Sequence, residues 1–215
     1  MLLLELMKRL VSALCGVLVF GLVGESHATL IFSDNFNTEN GGMGQLNYNF
    51  FANWSVSNGT VDLIGSPHGF YDFFPSNGLY VDLDGTSFQA GTFTSTAIPV
   101  TPGSYILSFL LAGSQRGDVN TVQVNVSGGL ASSTYTLASN VPLTLETISF
   151  TILAPTTINL SFQNVGNSNN IGLILDNVNL NRVSTAVPDS GSTIVFLGIA
   201  MIGLSLMGRK FTRLA

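Results

Sequence analysis

Apolar residues follow three different patterns along the chain. From Leu10 to Val23 they form one run, broken only by Ser12, Cys15, Gly16 and Gly21. Between Thr29 and Ala186 they alternate with polar residues at a period of two. From Ser192 to Gly208 they again form a run, of 17 residues. In the middle segment Tyr105, Leu107, Phe109 and Leu111 alternate with Ile106, Ser108 and Leu110. Val122, Val124 and Val126 do so across Gln123 and Asn125, Ile148, Phe150 and Ile152 across Ser149 and Thr151, and Ile158, Leu160 and Phe162 across Asn159 and Ser161. Period-two alternation places one face of each segment in a core and predicts strands. Pro102-Gly103, Gly113-Ser114, Ser127-Gly128-Gly129, Ala154-Pro155 and Gly166-Asn167-Ser168-Asn169 supply the turns between them. No stretch carries helical spacing over three turns. The pattern predicts an all-β, jelly-roll-like β-sandwich over 29–186, long enough for a single core.

The terminal runs read as addresses. Lys8-Arg9, the apolar stretch and the small-x-small end Ser26-His27-Ala28 are the three parts of a signal peptide. They predict a signal helix within 1–28, export through the Sec machinery and signal-peptidase cleavage after Ala28. Either Met1 or Met7 serves as the start. The C-terminal run predicts a transmembrane helix over 192–208, short for a bilayer span. Arg209-Lys210-Phe211-Thr212-Arg213 follows and would stay on the cytoplasmic side.

Charge sharpens this division. Only 9% of the 215 residues are charged, against about a quarter in an ordinary globular domain. The segment 29–186 holds two arginines, Arg116 and Arg182, no lysine and nine carboxylates, a net charge of -7. This predicts an acidic face that repels nucleic acid and anionic lipid and suits divalent cations or neutral glycans. The one cysteine, Cys15, lies inside the signal run, which rules out an internal disulfide framework.

Catalytic chemistry has few residues to draw on. His68 is the sole histidine after the signal, and nucleophile systems built on cysteine or lysine have none in the domain. Asp82 and Asp84 share one strand face, which does not set two carboxylates across a cleft as glycoside hydrolysis needs. The reading is a protein that is not an enzyme. The densest candidate for binding is Pro67-His68-Gly69-Phe70-Tyr71-Asp72-Phe73-Phe74-Pro75-Ser76-Asn77-Gly78. Rings stack on sugar C–H faces while amides and carboxylates take hydroxyls, the mixed apolar and polar lining of most ligand sites. Tyr71, Phe73, Asp72 and Asn77 are candidates there, with Trp54 and, in another loop, Arg116. The same phenylalanines would also serve to plug the end of a sandwich, and Trp54 would also serve as core.

Val187-Pro188-Asp189-Ser190-Gly191, the apolar run and the basic tail, together 187–215, resemble in order and spelling the VPDSG-CTERM variant of the PEP-CTERM sorting signals. The resemblance implies processing by an exosortase-type transpeptidase in a Gram-negative bacterium that makes exopolysaccharide. It also implies transit through the inner membrane to the cell surface or extracellular matrix.

A second series runs in order through the domain: Asp34-Asn35-Phe36, Trp54-Ser55-Val56, Gly59-Thr60-Val61-Asp62, Leu79-Tyr80-Val81-Asp82-Leu83-Asp84-Gly85, Pro102-Gly103-Ser104-Tyr105, Leu111-Ala112-Gly113 and Leu175-Asp176-Asn177-Val178. It resembles the choice-of-anchor C family and, more distantly, galactose-binding-like jelly rolls of carbohydrate-binding modules. It departs from the family at Asn37, where an acidic residue is usual. The resemblance implies a structural Ca²⁺ held by Asp34, Asn35, Asp84 and Asp176, oxygen donors of the kind the ion prefers. Turn and strand-end roles are open to the same residues. The expected function is a non-catalytic surface or matrix protein associating with exopolysaccharide. A self-associating envelope protein and a carbohydrate-active hydrolase are the alternatives.

Overall fold

A computed structural model describes residues 26–65, 71–166 and 168–185. The signal run, the sorting motif Val187–Gly191, the span 192–208 and His68 lie outside them. Contacts divide the chain into two units, Met1–His27 with Ser184–Ala215, and Ala28–Val183. The second is an all-β sandwich.

The fourteen strands among the described residues are numbered β1 to β14 along the chain. The larger sheet runs, in spatial order, β11 (Thr144–Ile152), β8 (Gly103–Ala112), β14 (Ile174–Thr185), β5 (Leu79–Asp82), β4 (Val61–Gly65) and β2 (Gln45–Tyr48), with β1 (Ser26–Asp34) also pairing β14. The smaller runs β10 (Ala131–Ala138), β9 (Val119–Val126), β13 (Leu160–Val165), β6 (Thr92–Ser95) and β3 (Trp54–Ser57). A short ladder joins β7 (Ile98–Val100) to β12 (Thr156–Ile158).

The period-two residues meet between the sheets. Tyr105, Leu107, Phe109 and Leu111 of β8 and Val122, Val124 and Val126 of β9 are all buried in one core cluster with Phe93 and Phe162. Alternation in β9 and β13 is strict because the outer face of their sheet meets water. The run Ile158–Phe162 is two strands rather than one. Asn159 leaves the ladder to donate its N–H to Ser127 Oγ (2.9 Å) and its amide to the Ser95 carbonyl (2.8 Å). Strand β10, ASSTYTLA, carries little apolar signal and belongs to the sheet through its full eight-residue register with β9.

Candidate functional site

The loop after β4 is positioned by the outer face of the larger sheet. Ile64 and Tyr80 alternate with the inward-facing Leu63 and Val81, so they point away from the main core. With Ala112 and Ile174 they form a second apolar cluster, and Phe73, Phe74, Leu46 and Leu143 pack on it. The Tyr80 hydroxyl fixes the loop's path: it accepts the N–H of Phe73 (2.6 Å) and Phe74 (3.2 Å) and donates to the Tyr71 carbonyl (3.2 Å). Burial pushes this phenol up to about 12, so the proton it donates stays in place. At the loop's far end Asn77 donates its amide to buried Asp176 (2.6 Å). Gly78 is required beside it: its φ is +83°, and a Cβ there would sit 1.9 Å from Asn37 Oδ1. That Asn37 oxygen accepts the N–H of Leu79 (2.7 Å). Phe73 to Asn77, with Pro142 and Leu143, line a shallow open depression of about 410 Å³.

The near end of the loop is exposed and aromatic. Tyr71, 56% exposed, stacks on Phe73 with centroids 6.0 Å apart and planes 14° from parallel. The Arg116 guanidinium lies over the Phe73 ring, 5.6 Å from its centroid. Such a contact is worth about 0.5–1 kcal/mol at a partly exposed site. Two further groups hold Arg116 there: the Asp82 carboxylate, with which it forms an ion pair, and the Asn170 carbonyl (2.7 Å). Asp82 is buried and also accepts the N–H of Asp84 and Gly172. Burial pushes its carboxyl up to about 7 against the pull of Arg116. Asn170 Oδ1 in turn accepts the N–H of Phe88 (2.7 Å), whose ring is 72% exposed. Loops 71–78, 83–91, 113–118 and 168–173 are thus tied together through Arg116 and Asn170. Tyr71 and Phe88, both exposed aromatics, have φ of 52° and 58°. A non-glycine residue in that region costs on the order of 1–3 kcal/mol, and such strain concentrates at ligand-contacting loops.

The residues singled out from the sequence fall into three places. Tyr71, Phe73 and Arg116 come together in this cluster; Asp72 is exposed beside the Tyr80 hydroxyl, while Asn77 is committed to Asp176. Trp54 does not belong to the site. It is 3% exposed, stacks on Phe93 at 4.5 Å, and its indole N–H is taken by Asp34 Oδ2 (3.0 Å). It is core, so it offers no platform to a ligand.

The implied calcium set does not assemble. Asp34 accepts the N–H of Phe36, the amide of Asn53 and the indole of Trp54; Asn35 Oδ1 accepts the N–H of Asn37. Asp176 accepts from Asn77 and Asn177. Asp84 Oδ2 accepts the N–H of Asn169 (2.9 Å) in the Asp82–Arg116 region, while its Oδ1 is buried without a hydrogen-bond partner. The oxygens of Asp34, Asn35 and Asp176 that already receive N–H donors are poorly set for a cation that wants six to eight of them. Among the described residues no group of three or more acidic, histidine or cysteine side chains could hold a metal ion. The expected acidic face is also absent. Glu39, Asp62, Asp82, Asp84 and Asp176 are buried, and of the remaining carboxylates only Asp72 is exposed, the others being half-buried. Most of the carboxylates are turn and loop fasteners.

Phe88 and Asn170 join the cluster without any sequence signal. Phe88 stands in the polar run Gly85-Thr86-Ser87-Phe88-Gln89, and only the contact to a loop 82 residues away marks it.

No family model matches the sequence, and no curated protein matches it. Solved structures of similar shape exist. A cleaved adhesin domain of Lys-gingipain from Porphyromonas gingivalis shares 16% identity over 72% of this chain and 99% of its own, with a TM-score of 0.47. A carbohydrate-binding module of Cellvibrio mixtus lichenase 5A, solved with cellotriose, shares 13% over 72% and 98%, with a TM-score of 0.40. A xylan-binding domain of Paenibacillus barcinonensis Xyn10C shares 8% over 74% and 97%, with a TM-score of 0.41.

Proposed function

We propose that this chain is an exported, non-catalytic surface or matrix protein whose sandwich associates with polysaccharide through Tyr71, Phe73 and Arg116, with Phe88 alongside. The observation that carries the reading is exposed Tyr71 stacked on half-buried Phe73, whose ring lies under a guanidinium held in place by Asp82 and Asn170. A flat aromatic surface fixed in advance gives a sugar ring an apolar face at little ordering cost. Burial of five carboxylates supports a neutral glycan as ligand, since few charges oppose or attract it at the surface. The sorting half of the proposal rests on Val187–Gly191 and the tail after it. In it an exosortase-type transpeptidase cuts near the motif, and the inner membrane holds the chain only in transit.

The binding half is tested by sedimentation of the protein with the host's exopolysaccharide. Tyr71→Ala with Phe73→Ala should release it while the melting temperature shows the fold intact; unchanged co-sedimentation overturns the site. The sorting half is tested separately: deleting the host exosortase should leave a C-terminal epitope attached, and its loss in that strain overturns processing.

A further inference from the structure

We infer that Asn58 is a site of spontaneous covalent modification, its side-chain amide displaced by the peptide nitrogen of Gly59 to leave aspartate or isoaspartate. The chain holds three Asn-Gly pairs: Asn40-Gly41, Asn58-Gly59 and Asn77-Gly78. In such a pair the peptide nitrogen of the glycine can close a five-membered ring on the asparagine Cγ. Glycine has no side chain to block that approach and few restrictions on its backbone. The rate of an intramolecular attack depends on how freely the two groups reach the reactive geometry. The fold grants that freedom unequally.

Two of the pairs are restrained. Asn77 donates its amide to the buried Asp176 (2.6 Å), and Gly78 is wedged so closely against Asn37 that it has no room for a Cβ. Asn40 is exposed, but its amide donates to the Met43 carbonyl (2.9 Å) and to Gln45 Oε1 (3.5 Å). Asn58 has no such tie. It is exposed between β3 and β4, and among the described residues nothing bonds its amide. The N–H of Gly59 has no acceptor there either, and the backbone bonds of this turn begin at Thr60. Electrophile and nucleophile are therefore both unpartnered at one turn.

The reaction needs only water and a solvent base. The Gly59 nitrogen gives its proton to the base and bonds Asn58 Cγ; the Cγ–Nδ2 bond breaks and ammonia leaves, forming a succinimide. Water then opens the ring at either carbonyl. One opening gives aspartate. The other routes the main chain through Cγ and lengthens it by one carbon. That carbon enters a turn without slack, since Gly59 lies against the backbone of Gln89 and Ala90. Thr60, next along, anchors the loop that carries Phe88: its N–H donates to Gln89 (2.9 Å), its carbonyl accepts from Gly85 (3.0 Å) and Gly91 (2.9 Å), and its hydroxyl bonds Ser87 (2.6 Å). The isoaspartyl form should loosen this loop.

Incubating the purified full-length chain in warm, mildly alkaline buffer tests this, with chymotryptic peptides mapped by mass spectrometry for the gain of one mass unit at each asparagine. Asn58 should convert first, and Asn77 at least about tenfold more slowly, because it must first give up a hydrogen bond to a carboxylate. In urea, where the fold is lost, the three pairs should convert at similar rates. Folded protein in which Asn58 is no faster than Asn40 or Asn77 overturns the inference, as does the same ranking in urea. Aged wild type should also melt below fresh protein, whereas aged Asn58→Gln should not. Equal melting of aged and fresh wild type overturns the link to Thr60.

Discussion

Replacing Arg116 by methionine removes the guanidinium while keeping most of the stem's apolar bulk, and it isolates what that group does. In the wild type it pairs with buried Asp82, bonds the Asn170 carbonyl and covers Phe73. Hydrogen bonds to a charged group are worth about 1.5–3 kcal/mol and the ring contact about 0.5–1. A loss of about 3 kcal/mol is therefore expected when Asp82 is ionised, or about 6–12 °C in melting temperature for a chain of this size. The loss depends on pH. Asp82 titrates near 7 in the fold, against about 4 in an unfolded chain. The folded state thus keeps a proton that the unfolded state releases. Stability from this group is fully present below about pH 4 and is lost as pH rises through 7. Asp176, pushed up by burial to about 6, acts in the same direction. At pH 5 Asp82 is mostly protonated, the ion pair is gone, and Arg116→Met should cost only about 1–1.5 kcal/mol. Differential scanning calorimetry at pH 5 and pH 8 reads both values. In the variant, nothing cationic opposes the burial of Asp82, so the alkaline loss should extend further. Equal melting shifts at the two pH values, or a shift under 2 °C at pH 8, would refute the role assigned to the pair.

Three other outcomes follow from the geometry. Trp54→Ala should destabilise the sandwich by about 3–5 kcal/mol, seen as a lowered denaturation midpoint; Trp54 fluorescence in the wild type should be blue-shifted, since the indole is buried against Phe93. Adding Ca²⁺ in place of EDTA should leave the melting temperature unchanged, because the oxygens of Asp34 and Asp176 already receive N–H donors; a rise of several degrees would show that these side chains turn to a cation. Phe88→Ala should weaken binding of neutral polysaccharide, read by affinity electrophoresis, without raising stability, since alanine keeps a Cβ at the positive φ; Phe88→Gly should relieve that strain.

The strands with a single wet face were legible in the sequence because period-two alternation is a direct image of a sheet with water on one side. That is why Tyr105–Leu111 and Val122–Val126 appear where the pattern puts them. Strand β10 was not, since a polar edge strand contributes few residues to the core and takes its conformation from its neighbour. The site was half legible. Tyr71, Phe73 and Arg116 were named from composition and loop context, but only the fold brings the third to the first two. Trp54 was named among them although core is the commoner place for a lone tryptophan, and core is where it lies; its indole partner, Asp34, is 20 residues away. The carboxylates misled most. Nine in one segment suggest a charged face, whereas the chain uses most of them to fasten turns, as Asp34 does for Phe36 and Asp62 for Thr86. Nothing in spacing alone separates an acid that faces water from one that receives a backbone N–H.

The way the two arginines of the domain are held has a consequence for its resistance to proteolysis. Trypsin-like proteases cut after lysine or arginine in chain that can be drawn extended into their clefts. Here lysine is missing from 29–186 altogether. Arg116 is clamped by an ion pair and a ring, and Arg182 lies in strand β14 with its guanidinium on the Pro102 carbonyl. The folded sandwich therefore offers such enzymes no ready peptide bond. It should resist trypsin-like proteases for as long as it stays folded, a durability that comes from composition and anchoring rather than from disulfides.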